Sequence, residues 1–409
     1  MSDKVRDHYE TYPYPARDPG DEKERLITGS PSHLLEIDHY LFRGQRDFSK
    51  PFRALVAGGG TGDAAIMLAQ QLADAGGKGC VTYLDLSGAA KEVTAARAKA
   101  RGLTNISFIS GSLLDLPRHG GKPYDYIDCC GVLHHLEDPL AGLVALKSVL
   151  ADDGGMGLMV YGALGRRGVY EVQSLLRRLT AGADLPAQVK TARRLLASLP
   201  PSNWLRRNPV LGDHKRSDAE LADLLLHPCD RAYRVGDLAR LIDDANLNLV
   251  QFIEPARYDP ASYIKDPKLL AALSGFDPLE RAAMAEELVG NIKTHICYVS
   301  GRAGETTAGP WDPASIPCLR SLDGPALARA CARNLTLKAE FDGLPLSFTL
   351  PRLAPLILSR IDNRTTLEEI FGQLQALDPS LAWEIFAAQF QRLFAVLSGL
   401  NHLLLKQPA

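Results

Sequence analysis

The sequence contains no run of 18 uninterrupted apolar residues, and its opening stretch, MSDKVRDHYETYPYP, has no apolar core. Neither a membrane span nor a secretory leader is expected. The seven cysteines (Cys80, Cys129, Cys130, Cys229, Cys297, Cys318 and Cys331) form no CxxC pair, and several lie in apolar runs. That argues against a zinc site or a disulfide frame; reduced thiols in a cytoplasm, and no metal, are expected. Internal repeats and low-complexity tracts are also lacking. With 46% hydrophobic and 23% charged residues, the 409-residue chain reads as globular, long enough for two to three domains.

Charge is nearly balanced overall, at −2, but not along the chain. Between Ala163 and Arg216 eleven Lys or Arg face only Glu171, Asp184 and Asp213, a net of +8 that leaves −10 elsewhere. This segment reads as helical, in YEVQSLLRRL and AELADLLLH. Its cations could attract an acidic or phosphorylated acceptor. The plainer reading, a solvated face whose Arg stems cover apolar surface, is favoured because RR pairs recur among leucines. Aromatics are too few there for base stacking, so nucleic-acid binding is not expected.

Around this segment, apolar runs alternate with amphipathic ones. Strands are expected at 53–57, 79–87, 105–112, 124–133 and 154–162, and, after the basic insert, at 247–253 and 294–301. Helices are expected at 63–75, 88–101 and 140–150. Seven strands, each apolar throughout and most followed by a helix, predict a doubly wound, mainly parallel sheet. Residues 302–318 have linker composition. Beyond them, LTLKAEFDGLPLSFTL predicts a hairpin turning at Asp342-Gly343. Thr366 followed by Glu369 predicts a capping box, and a helix is expected from Leu381 to Leu405.

Four loops stand at the carboxyl ends of the first four strands, where ligands bind in such sheets. Gly58, Gly60 and Gly62 form a turn between strand and helix, where glycine permits sharp bending and close approach of a ligand to backbone N–H groups. The spacing GxGxG differs from the GxGxxG of dinucleotide sites, which suits a ligand without a pyrophosphate and disfavours a nicotinamide oxidoreductase. Asp85 ends the second strand, where a carboxylate can accept both hydroxyls of a ribose. GSLLDLP ends the third, and two histidines follow the fourth.

Together LVAGGGTGD, YLDLS, FISGSLLDLP and YDYIDCCGVLHHLEDP resemble, in order and position, the four signatures of class I S-adenosylmethionine-dependent methyltransferases. The resemblance covers about residues 50–161 closely and 235–301 by pattern, and HYETYPYP resembles the entry segment of a bacterial subgroup. It implies a Rossmann-like methyltransferase core (50–162 and 235–301), an N-terminal cap (1–49), a basic helical lid (163–234), a linker (302–318) and an accessory domain (319–409). It implies S-adenosylmethionine as cofactor, held by Ala57, Gly58, Gly60, Gly62, Asp63, Asp85, Leu86, Ser112, Leu113, Gly131 and His134. His134, His135 and Tyr14 become candidates for acting on the acceptor, His134 being also readable as filler and His135 as a helix cap. His227 and Tyr233, in LLLHPCDRAYRV, are further candidates for reaching the substrate.

Two departures stand out: the family usually has an acid where this chain has Val56, and often one at Ser112. Asp63, or more weakly Tyr12 or Tyr14, is expected to replace the first. The fourth motif lacks an Asn-Pro-Pro-Tyr run, which lowers the expectation of a DNA-adenine or glutamine acceptor. PLSFTLPRLAPLILSRIDNRTTLEEIF resembles winged-helix-like modules, so dimerisation or polypeptide recognition is expected of this α+β region. The favoured acceptor is a protein or peptide side chain. A small metabolite and a non-catalytic cofactor-binding regulator remain alternatives.

Overall fold

The computed structural model describes residues 3–119, 121–309 and 311–408. Seven strands, β1 (Arg53–Ala57), β2 (Cys80–Asp85), β3 (Ile106–Ser110), β4 (Tyr124–Cys130), β5 (Leu150–Tyr161), β6 (Asn248–Phe252) and β7 (Thr294–Ser300), form one sheet in the order β3-β2-β1-β4-β5-β7-β6. β1 through β5 pair parallel and β7 runs antiparallel to β5. The expected sheet is therefore present. β5 begins at Leu150, earlier than the glycines of its sequence suggest, beside a register shift between Tyr124 and Tyr126.

Local chemistry fixes where the connecting helices start. Gly62, at φ 100°, opens helix Asp63–Asp74. The Ser87 hydroxyl accepts the Ala90 N–H (3.1 Å) and starts helix Gly88–Arg101, which stops at Gly102 in the left-handed region. Helix Pro139–Lys147 is capped by Asp138, which accepts the Ala141 N–H, so His135 does not serve as its cap.

By packing, the described residues divide into two units. The first comprises residues 1–33, 47–249 and 289–303; the second comprises 34–46, 250–288 and 304–409. The first holds the glycine turn and most of the sheet. Its insert folds into helices Val169–Leu179, Leu185–Ser198, Trp204–Arg207 and Asp218–Leu226 around a core including Val172, Leu176, Val189, Leu221 and Leu225, with Tyr12 packed against it.

The second unit has a core of its own, including Ile357, Leu367, Ile370, Phe386, Phe390 and Leu397. Its hairpin, β9 (Thr336–Phe341) and β10 (Leu344–Thr349), turns at Asp342 (φ 47°) and Gly343 (φ 81°) as expected. The Thr366 hydroxyl and Glu369 carboxylate form the expected capping box. Two segments differ from expectation. Ile316–Leu319, inside the expected linker, is strand β8, and Leu403–Lys406, expected as the end of a helix, is strand β11 antiparallel to it. The helix stops at Gly399, and Asn401 at φ 57° turns the chain back.

Candidate functional site

A cavity of about 370 Å³ opens at the carboxyl ends of β1, β2 and β4 in the first unit. Gly58, Gly60, Asp63, Asp85, Leu86, Leu113, Gly131, His135 and Tyr14 line it, bringing together most residues singled out by sequence. Ala57, Gly62, Ser112 and His134 are not among its walls. Ser112 instead accepts the Leu114 N–H and caps a short 3-10 turn.

The glycine turn does not present bare N–H groups. Gly58 and Gly59 donate to the Leu84 carbonyl, Gly60 donates to Asp85 Oδ2 (2.8 Å), Thr61 to the Tyr14 carbonyl and Gly62 to the Gly59 carbonyl. The turn closes on the end of β2 and on the N-terminal arm, so its own bonds are satisfied. Glycine is required at Gly60: its φ is +50°, and a Cβ there would stand 2.7 Å from the Tyr14 carbonyl oxygen. Tyr14 thus covers the turn through its backbone, and the Thr61 hydroxyl adds a bond to the Pro15 carbonyl (2.7 Å).

Asp85 accepts the Gly60 N–H on one oxygen and the Ser87 N–H (2.8 Å) on the other. Each oxygen keeps a second lone pair for a ligand hydroxyl. Burial raises its pKa, and the backbone donors oppose the rise.

Asp63, the expected replacement for the missing acid at Val56, has its charge committed elsewhere. Arg17 Nη2 lies 2.6 Å from its Oδ2 and Arg97 Nη1 2.7 Å from its Oδ1. Burial pushes the Asp63 carboxyl up, but the two guanidiniums outweigh it and the net shift is downward. Arg97, 1% exposed, also donates through Nε to Glu22 Oε1 (2.7 Å) and through Nη1 to the Thr61 carbonyl (2.7 Å). Arg101 makes a second ion pair to Glu22. No local pattern announces this network, because Arg97 and Glu22 are 75 residues apart in the chain.

The acid that the sequence reading missed lies on the next strand. Val56 of β1 stands opposite Asp128 of β4, and both line the cavity. Asp128 is fully buried; Ser32 Oγ donates to its Oδ2 (2.7 Å), and its Oδ1 has no hydrogen-bond partner among the described residues. Burial pushes its carboxyl up to about 6, against the Ser32 hydroxyl and the nearby Cys130 thiol.

The other end of the cavity is built from the insert and the N-terminal helix Asp3–Thr11. Asp223 accepts the hydroxyl of Tyr9 (3.1 Å) on one oxygen and that of Tyr161 (2.8 Å) on the other, and no ion pair reaches it among the described residues. Arg166 sits 3.6 Å over the Tyr161 ring, but its charge is paired with Asp230 (2.9 Å).

Four histidines lie in a row here, His134 edge-on to His135 (4.2 Å between centroids), His135 tilted against His227 (3.6 Å) and His227 edge-on to His8 (5.0 Å). Burial lowers the pKa of His134, His227 and His8, the last to about 4, and neighbouring histidines add to the effect. His134 is fully enclosed, stacked on Tyr161 at 3.8 Å, and neither ring nitrogen has a hydrogen-bond partner among the described residues. His135 faces the cavity, and its Nδ1 lies 2.8 Å from the Cys229 carbonyl. With the proton on Nδ1 donated there, Nε2 carries the free lone pair. His227 and Tyr233 do not reach the cavity.

Among the described residues no helix is long and apolar enough to cross a membrane, and no group of His, Cys, Asp or Glu is arranged to hold a metal. The family model described as a methyltransferase domain matches residues 55–156. The uncharacterized protein syc1184_c of a Synechococcus strain is 33% identical over 213 residues, 51% of this chain and 50% of that protein. The chain thus spans about half the length of that curated relative. PKMT2 from Rickettsia typhi has a similar fold, with TM-score 0.63 at 16% identity, over 93% of this chain and 76% of that one. Its complex with AdoHcy gives 0.64 at 17% identity, over 94% and 76%. The chain carries a methyltransferase domain over residues 55–156, built on the Rossmann-like methyltransferase fold.

Proposed function

We propose that this chain is an S-adenosylmethionine-dependent methyltransferase that modifies a nitrogen base on a protein or peptide side chain. The cavity suits the cofactor. Asp85 keeps a lone pair on each oxygen for a pair of ribose hydroxyls, and Leu86 and Leu113 offer apolar walls to an adenine. Gly131, at φ 76°, lines the same floor, where a side chain would narrow the space. When bound, the cofactor supplies an electrophilic methyl group for in-line displacement. The protein's share is to orient the nucleophile and exclude water.

One observation carries the acceptor class. Asp223 is a buried carboxylate, 3% exposed, facing the cavity with phenol donors and, among the described residues, no ion pair. A buried charge without a counterion is costly, so an arriving ammonium gains attraction there that a neutral or acidic acceptor does not. Before transfer the nitrogen must lose a proton, and His135 Nε2 is the lone pair on the cavity wall suited to take it. A polypeptide acceptor accords with the second, separately cored unit, and the fold is like that of PKMT2 over 93% of this chain.

Titration calorimetry should give micromolar binding of S-adenosylmethionine and S-adenosylhomocysteine but not NAD, weakened by Asp85→Ala. Incubation of a lysate of the source organism with methyl-labelled cofactor should then label polypeptide, and the label should survive mild base. Label confined to small molecules would remove the protein acceptor. Label released by base as methanol would mean a carboxylate acceptor and refute the nitrogen reading.

A further inference from the structure

A sulfonium amino acid brings an α-ammonium into the site as well as its ribose and adenine, and the strand end where related enzymes often carry an acid holds Val56. The acids near that end divide sharply by what they already bind. Asp63 is neutralised by Arg17 and Arg97, and Asp85 faces two backbone N–H groups. Asp128 alone of the three combines full burial, a place on the cavity wall and an oxygen with no hydrogen-bond partner among the described residues. Its position is set by register. Val56 and Asp128 are paired residues of adjacent parallel strands, so their side chains leave the same face about 4.8 Å apart.

We propose that Asp128 anchors the α-ammonium of the bound cofactor, a carboxylate moved from β1 to the neighbouring strand at the same level of the sheet. The proposal rests on the methyltransferase reading and adds to it the residue that recognises the amino-acid end of the ligand. Ser32 holds Oδ2 through its hydroxyl (2.7 Å) and the Cys130 thiol, a weak donor, lies beside the carboxylate, which leaves lone pairs of Oδ1 for the ligand. The β4 run YDYIDCC supplies the acid without breaking the strand, because Asp128 alternates with the buried neighbours Ile127 and Cys129. A carboxylate at this depth has little water around it, so its attraction for a cation is weakly screened.

The test is calorimetry on the full chain with two probes that share a nucleoside and thioether: S-adenosylhomocysteine, which has the amino-acid end, and 5′-methylthioadenosine, which lacks it. Asp128→Asn keeps the size of the side chain and an oxygen for Ser32. It should weaken S-adenosylhomocysteine by about 10- to 100-fold, the range of a lost charge-assisted hydrogen bond, and change 5′-methylthioadenosine less than about two-fold. Combining Val56→Asp with Asp128→Val should recover most of the affinity that Asp128→Val alone loses.

Equal weakening of both probes would make Asp128 a structural residue and overturn the proposal, as would an unchanged affinity for S-adenosylhomocysteine. If the unsubstituted chain binds neither probe, the methyltransferase reading fails and this proposal with it. If it binds both and only the Asn variant behaves contrary to expectation, the reading stands and the anchor is wrong.

Discussion

Asp128 should cost the ligand-free protein stability, and the cost can be worked from its surroundings. Burial raises its carboxyl from 3.8 to about 6, so the folded chain holds a proton there that the unfolded chain has released. Stability from this residue is therefore greatest below the lower value and falls as pH rises toward the upper one. The full loss is about 3 kcal/mol, of which about 1.5 falls between pH 5 and pH 8. Asp128→Asn removes the titration, so the advantage of the variant over the parent should widen by that amount across the interval. Differencing the two chains cancels every other titrating group. Native-state hydrogen exchange, read by mass spectrometry on peptides covering β1 and β4 and corrected for intrinsic rates, reports the stability of the first unit alone. A gap that does not change with pH, or a parent more stable than the variant at pH 8, would refute the burial account of this carboxylate. Saturating S-adenosylhomocysteine should reverse the order, because the ligand's ammonium then compensates the charge in the parent only.

Arg97→Met should destabilise the chain by roughly 3–5 kcal/mol, since Glu22 is left buried with only Arg101 and the Thr61 carbonyl loses its donor; thermal unfolding measures it, and a change below about 1 kcal/mol would contradict the network's role. Gly60→Ala should release the N-terminal arm, because φ +50° and the Tyr14 carbonyl 2.7 Å from the new Cβ both resist it; faster limited proteolysis around Tyr12–Arg17 is the expected signature. Asp223→Asn should lower kcat/KM for the polypeptide acceptor by about 10- to 100-fold while S-adenosylhomocysteine binds within two-fold of the parent; an equal loss of cofactor affinity would place Asp223 at the other end of the cavity.

The sheet was legible because its apolar strand runs alternate with amphipathic ones, and the Thr366 capping box because its Glu369 partner is three residues ahead; the caps at Ser87 and Asp138 went unread, His135 standing in for the second. The C-terminal strand β11 was not legible either. Its leucines follow an amphipathic helix after only the short break at residues 399–401, and what makes them a strand is pairing with β8, more than 80 residues earlier. Register and pairing are long-range facts, and a local pattern does not carry them.

The same distinction separates the recognisable half of the site from the hidden half. Signature positions such as Gly58, Asp85 and Gly131 announce themselves because loop geometry demands particular residues at short spacing. Whether an acid is free to meet a ligand depends instead on which cations fold against it. Asp63 sits in the glycine signature yet is claimed by Arg17 and Arg97, which approach from 46 and 34 residues away. Asp128 is one polar residue inside a buried strand and Asp223 one on a helix of the insert, yet both face the cavity with no ion pair among the described residues. Charge pairing across the fold, more than motif membership, therefore decides which carboxylates of this chain are available for binding, and substitutions that release Asp63 from its arginines should change ligand recognition even though no signature residue is touched.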